Sequence, residues 1–206
     1  GVVLQFDGFL GTGMGTGPFP DTVVLALHQR LMQPAARALS WTPAISALLN
    51  YESLRENAEP LDDPRTTEQL PPLVADDILG SLSNLERLNA FEMPAIKAPS
   101  LCTKLRQLED AKLTLLLGSD AGAPAHLHSR ATWQEIDFWV RQCGMPVLRA
   151  IQAATHDAAT AMGVGHEAGT IAPGKFADII AVRGDVLRNP GLLQSVDIVI
   201  KRGRRV

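Results

Sequence analysis

The sequence predicts an α/β chain: a parallel sheet with crossover helices over residues 1–163, then an all-β tail over residues 164–206. Three observations predict it. Short apolar runs of strand length alternate with stretches of helical spacing as far as Met162, the pattern of strands joined by helices. Glycine-rich turns follow two of the strand candidates, at Gly8–Gly17 and Gly118–Gly122. Past Gly163 the helical spacing stops, and short apolar runs with turns between them take over.

Residues 1–6 read as a buried strand, and Gly8–Gly17 as the loop that leaves it. Asp21 suits a helix N-cap, and Val24, Leu27, Leu31, Ala35 and Leu39 carry a helical stripe that Pro34 kinks or breaks. Trp41–Leu49 is the second strand candidate. Tyr51–Ala75 is polar and carries Pro60, Pro64, Pro71 and Pro72, which predicts a long surface loop. Asp76–Leu88 and Thr103–Ala111 suit helices, and Leu113–Leu117 is a short apolar strand. Ala131–Gln142 predicts a helix with Trp133, Ile136, Trp139 and Val140 on its apolar face. Pro146–Met162 predicts another, with Pro146 as first helical residue and Gly163 as C-terminal cap. In the tail, Gly169–Ile171, Ala177–Val182 and Val196–Lys201 read as short strands that need partners to be stable.

Composition excludes several classes. Apolar residues make up 46%, enough for a real core, and the net charge is −3. The only basic run is the Lys201–Arg205 end, a solvated terminus, so nucleic acid is not an expected partner. No apolar run is long enough to span a bilayer, and no basic leader or signal core stands at the start, so no membrane partner is expected. A cytoplasmic location is the default expectation; oligomerisation stays open. The chain opens inside a strand without an initiator Met, which predicts a piece of a longer protein. Cys102 and Cys143 lie far apart and in no ligand spacing, so neither a disulfide framework nor a zinc knuckle is predicted. Each reads as a small core or surface residue.

The chemistry centres on Leu115-Leu116-Leu117-Gly118-Ser119-Asp120-Ala121-Gly122. An acid just past a parallel strand sits where such sheets place reacting groups, and glycines beside it let the backbone turn sharply. Alone, Asp120 reads first as a turn residue, and the residues downstream reverse that. Downstream stand Ala153-Ala154-Thr155-His156-Asp157-Ala158-Ala159, then Met162-Gly163, then Gly169-Thr170-Ile171-Ala172-Pro173-Gly174-Lys175-Phe176-Ala177-Asp178-Ile179-Ile180. This ordered series resembles the C-terminal region of the amidohydrolase superfamily, in its imidazolonepropionase-like and prolidase-like branch. The likeness is specific over residues 113–206 and more diffuse over 1–112, where Trp41-Thr42-Pro43 is similar to the branch's seventh-strand segment.

The resemblance implies the C-terminal part of a metal-dependent (β/α)₈ TIM barrel, with residues 164–206 adding strands to a small composite β-sandwich. It implies hydrolysis of carbon–nitrogen amide bonds in small molecules or dipeptides, with a divalent metal, most often zinc, in the complete enzyme. Asp120 matches the acid after the eighth strand, which binds the first metal and takes a proton from the attacking water; a metal-bound water ionises near neutrality, so a carboxylate beside it can accept and pass on that proton. Thr155 and the Gly169–Asp178 run match structural positions.

The chain also departs from the pattern. The family's His-x-His after the first strand has no counterpart near the start, and at the sixth strand, where the family places a His, stand Gln5-Phe6-Asp7. Phe6 cannot ligate a metal, whereas Asp7 could. His126 and His128 form a His-x-His beyond Asp120, but in a loop after Gly122 and Pro124, which suits substrate binding in the pocket better than metal ligation. His28, His156 and His166 read as helix-surface, capping and solvated residues, and Glu52, Glu56 and Glu59 as a charged face. The ligand shortage leaves a second reading open: an inactive remnant, or a non-catalytic binding module on the same scaffold, holding no metal.

Overall fold

The computed structural model describes residues 8–10, 17–32, 40–56, 67, 70–82, 92–122 and 126–206. Two sheets organise them. β1 (Gly8–Leu10), β2 (Ser40–Thr42) and β3 (Thr114–Leu115) lie side by side in chain order, all parallel. The register pairs Phe9 with Trp41 and Trp41 with Leu115. Parallel neighbours need crossovers long enough to return the chain to the same end, and helices supply them. α1 (Asp21–Leu31) lies between β1 and β2, and α2 (Ile45–Glu56), α3 (Pro72–Leu82) and α4 (Glu92–Asp110) lie between β2 and β3.

After β3 come α5 (His128–Asp137), α6 (Val147–Gln152) and α7 (Ala158–Ala161), with wider π turns at Phe138–Gln142 and Ala153–Asp157. The second sheet is antiparallel, β4 (Ile179–Ala181), β5 (Ile198–Lys201) and β6 (Arg204–Arg205) in that order. Among the described residues no helix is long and apolar enough to cross a membrane.

The core lies between the parallel sheet and the helices. Trp41, Ile45, Leu101, Leu105, Leu115 and Trp139 form its centre, and Phe19 meets Trp41 edge-on at 5.3 Å between ring centres. Arg149 ties α6 to the end of α4 and to the second π turn, through Glu109 and Asp157 at 2.9 Å each.

Several elements differ from the sequence expectation. Residues 1–7 lie outside the described residues, and the strand described is Gly8–Leu10, inside the predicted loop. The predicted strand Trp41–Leu49 stops at Thr42: Pro43 has no N–H for the ladder, Ala44 turns to φ +50°, and a helix starts at Ile45. The predicted loop Tyr51–Ala75 is partly helical at both ends, with Pro72 opening α3 where its missing N–H is harmless. α4 runs for 19 residues, well beyond Thr103–Ala111, and tolerates Pro99. Pro146 is not the first helical residue but the extended cap before it, while Gly163 does turn left-handed at φ +77°.

Gly169–Ile171 is not a strand. Gly169 has φ +85° and presses on the second π turn, where a Cβ would lie 2.6 Å from the Ala159 Cβ and 2.9 Å from the Thr155 carbonyl oxygen. Its role is close packing of the tail on the helix. Cys102 and Cys143, read as unpaired, are joined in a disulfide that fastens α4 to the end of the first π turn. Sequence spacing concealed it because the two elements meet only through the fold, with Cα atoms 4.7 Å apart.

Candidate active site at the carboxyl edge of the parallel sheet

Ligand sites of parallel sheets form where loops leave the carboxyl ends of the strands. Here two such loops meet. After β2 the chain turns through Pro43 and Ala44 into α2; after β3 it continues as a loop from Leu116 to Gly122. Leu116 N–H donates to the Trp41 carbonyl at 2.8 Å, which keeps the second loop beside the first. Gly118 permits the approach: a Cβ there would lie 2.6 Å from Thr42 Cγ2.

Asp120 stands exposed on this loop with φ +54°. Asp is among the few residues that tolerate the left-handed region. The surrounding bonds impose it. His126 bridges across Asp120: its Nε2 lies 2.7 Å from the Ser119 carbonyl oxygen, and its own carbonyl accepts from Gly122 N–H at 3.0 Å. A carbonyl can only accept, so Nε2 carries the hydrogen and Nδ1 the lone pair. Nδ1 is buried, with no hydrogen-bond partner among the described residues. Burial pushes the His126 imidazole below its ordinary pKa; the Ser119 carbonyl and Asp120 oppose that shift, and His128 adds to it. His128, the first residue of α5, is exposed, with its ring beside Gly122.

Beneath this loop lies a polar group that sequence reasoning missed. Glu135 is 0% exposed. Its Oε1 accepts from Ile45 N–H at 2.9 Å and from the Trp139 indole N–H at 2.7 Å, and its Oε2 accepts from Ser46 N–H at 2.5 Å. Ile45 and Ser46 open α2, so their N–H groups have no partner within the helix, and an anion there is favourably placed. Burial pushes the Glu135 carboxyl above the usual range, opposed by the hydrogen bonds from the Ser46 side chain and from the Ser46, Ile45 and Trp139 N–H groups. The Ser46 hydroxyl oxygen lies 3.3 Å from His126 Nε2, close enough to share its hydrogen with Ser119. A signal existed in the sequence: Glu135 is a charged residue amid the apolar face of Trp133, Ile136 and Trp139. An acid in that setting is buried and partnered, or the helix face is misread.

The structure thus gathers Asp120, His126 and His128 at one edge of the sheet. Gln5, Phe6 and Asp7 lie outside the described residues. His28 and His166 are exposed, and His156 pairs with Asp157 at 2.8 Å. Among the described residues no three His, Cys, Asp or Glu side chains stand together so as to hold a metal ion. A catalytic zinc takes about three protein ligands and a water. Asp120 offers one; His126 offers none as bonded, its Nε2 engaged and its Nδ1 enclosed. The described residues therefore do not fit a complete zinc centre.

One family model matches the chain. The sequence profile of the amidohydrolase family matches residues 85–206, more than half of the chain. No curated protein matches the chain. Among solved structures, a candidate prolidase from Bifidobacterium longum is similar over 97% of this chain and 42% of its own, at 22% identity and TM-score 0.65. A Xaa-Pro dipeptidase with methionine bound in its active site is similar over 87% of this chain and 38% of its own, at 25% identity and TM-score 0.58. A prolidase complexed with N-methylphosphonate-L-proline is similar over 96% of this chain and 40% of its own, at 20% identity and TM-score 0.61. The chain spans about two fifths of the length of these structures.

Proposed function

We propose, because the chain belongs to the amidohydrolase family, that it serves the hydrolysis of carbon–nitrogen amide bonds in small substrates, with Asp120 as the carboxylate that accepts the proton of the attacking water. The observation that carries this reading is the placement of Asp120: exposed and left-handed, on the loop that leaves a parallel strand at its carboxyl end, within the matched segment. A general base must stand free to reach the proton it takes, and Asp120 does. The likeness to a Xaa-Pro dipeptidase supports dipeptides with proline on the carboxyl side as the first substrate class to try, with non-peptide amides as the second.

The finer parts of the reading follow the family. Residues 1–163 contribute strands and helices to a (β/α)₈ barrel, and residues 164–206 add β4, β5 and β6 to a composite β-sandwich; the two separate sheets support this division. A divalent metal, zinc by preference, would polarise the amide carbonyl and the water. Asp120 is the ligand the described residues contribute to it, and the other ligands are to be sought outside them. His128 is placed to touch substrate. His126, expected to bind substrate, is instead buried beneath the loop at 1% exposure and so is not placed to touch it. The reading as an inactive remnant or binding module rests only on the ligand shortage among the described residues, and the family match does not favour it.

Metal analysis tests the ligand count. The 206-residue chain, stripped by a chelator and resupplied with zinc, is expected to retain far less than stoichiometric metal. Full occupancy that vanishes in Asp120→Ala would refute the incomplete centre while keeping Asp120 as a ligand. Full occupancy that survives Asp120→Ala would remove Asp120 from the metal.

A further inference from the structure

We propose that Glu135, Ser46 and His126 form a buried positioning relay that holds Asp120 in its outward, left-handed conformation. The relay runs from one loop to the other through groups that water does not reach. The Glu135 carboxylate takes the first two N–H groups of α2, and so sets where Ser46 lies. The Ser46 N–H donates to Glu135 Oε2 at 2.5 Å, and the Ser46 hydroxyl oxygen faces His126 Nε2 at 3.3 Å. The His126 Nε2–H donates to the Ser119 carbonyl, and the His126 carbonyl receives Gly122 N–H. Asp120 therefore sits in a short span of chain held at both ends by one residue. Ser46 and Glu135 are 0% exposed and His126 1%, so these bonds lie apart from solvent and keep their direction.

The orphaned Nδ1 fits this role. An imidazole chosen for packing alone would cost free energy at an enclosed lone pair, where an apolar residue of similar size would not. The Nε2–H bond to Ser119 is what the ring supplies. None of the three side chains is placed to touch substrate, so they are positioning residues. The consequence for turnover rests on the reading of Asp120 as the reacting carboxylate; the grip on the loop does not.

The test uses His126→Leu, which removes the Nε2–H donor, and His126→Gln, whose side-chain N–H can replace it. Amide hydrogen exchange at Gly122, whose N–H the His126 carbonyl holds, is the primary readout, in the chain as it stands. The relay predicts exchange faster by about tenfold or more in His126→Leu, the scale of one lost hydrogen bond, with recovery in His126→Gln. In the product of the whole gene, with zinc and a Met-Pro dipeptide, it predicts a fall in kcat with KM unchanged in the Leu variant, and recovery in the Gln variant. A loop that stays protected in His126→Leu, or that the Gln variant fails to restore, overturns the relay whatever the turnover. Should His126→Leu fail to fold, Ser46→Ala carries the same readout, with faster exchange at Gly122 expected and unchanged exchange overturning the relay. A loosened loop together with full turnover in Asp120→Asn would sink the catalytic reading and leave the relay standing.

Discussion

Replacing Glu135 by leucine removes the one acceptor that three buried donors share. The Ile45 and Ser46 backbone N–H groups and the Trp139 indole N–H all end on its carboxyl group. Each buried donor left without a partner costs about 1–3 kcal/mol, so the three together cost about 3–9 kcal/mol. Against that stands the desolvation of a buried carboxylate, several kcal/mol by general estimates, which leucine relieves. Three hydrogen bonds already offset part of that desolvation, so the loss of donors' partners should win by about 2–5 kcal/mol. Domains of this size are stable by about 5–15 kcal/mol, so the variant would lie near the edge of folding. Glu135→Gln keeps an oxygen for Ile45 and Trp139 but turns an NH₂ towards Ser46 N–H, one mismatch in place of three, or about 1–3 kcal/mol. Urea unfolding followed by circular dichroism measures both. At an m-value of about 2 kcal/mol per molar, Glu135→Leu should lower the midpoint by about 1–2.5 M, with Glu135→Gln between it and wild type. A leucine variant as stable as wild type would refute the capping of α2 by this carboxylate.

Two further expectations follow from the same structure. The His126 imidazole is buried with its pKa lowered, so between its folded value and the unfolded value of about 6.5 only the unfolded chain takes up the proton. Its contribution to stability is complete above that unfolded value and is lost as pH falls below it, by at most about 1.4 kcal/mol per pH unit. Melting temperature against pH should show this loss, and His126→Gln should flatten it; equal slopes would contradict the burial of a neutral ring. The Cys102–Cys143 disulfide closes a separation of 41 residues, which on loop-entropy grounds stabilises the fold by about 4 kcal/mol. Alkylation and mass spectrometry should find no free thiol in oxidised protein, and a reductant should lower the urea midpoint; two free thiols with no change on reduction would dispose of the bond.

The sequence made the class of fold legible because period is a local signal. The apolar run at Leu113–Leu117, the helical stripe through Leu27 and Leu31, and the turn at Gly163 each depend on residues close in the chain. The boundaries that failed depend on partners far away. Trp41–Leu49 has the apolar content of a strand, yet from Ile45 it is a helix whose first two N–H groups are capped by a residue 90 positions on. No window on the sequence contains that cap. The disulfide was hidden for the same reason. Asp120 was legible as a candidate because its glycine-flanked position after a strand is itself a local pattern. The burial of His126 was not, since a His-x-His looks the same in a pocket wall and beneath one. Glu135 could have been found from the clash between its charge and the apolar face around it.

Turnover by Asp120→Asn tests the central claim most directly. The product of the whole gene, supplied with zinc, would be assayed on Xaa-Pro dipeptides and N-acylated amino acids beside the variant. Asparagine keeps the size of the side chain but cannot accept the proton. The account predicts hydrolysis by wild type and a fall in kcat/KM of about 10²–10⁴-fold in Asp120→Asn, the scale of a general base, with the melting temperature unchanged. An Asp120→Asn variant as active as wild type, or a wild-type protein that cleaves none of these amides, would contradict it.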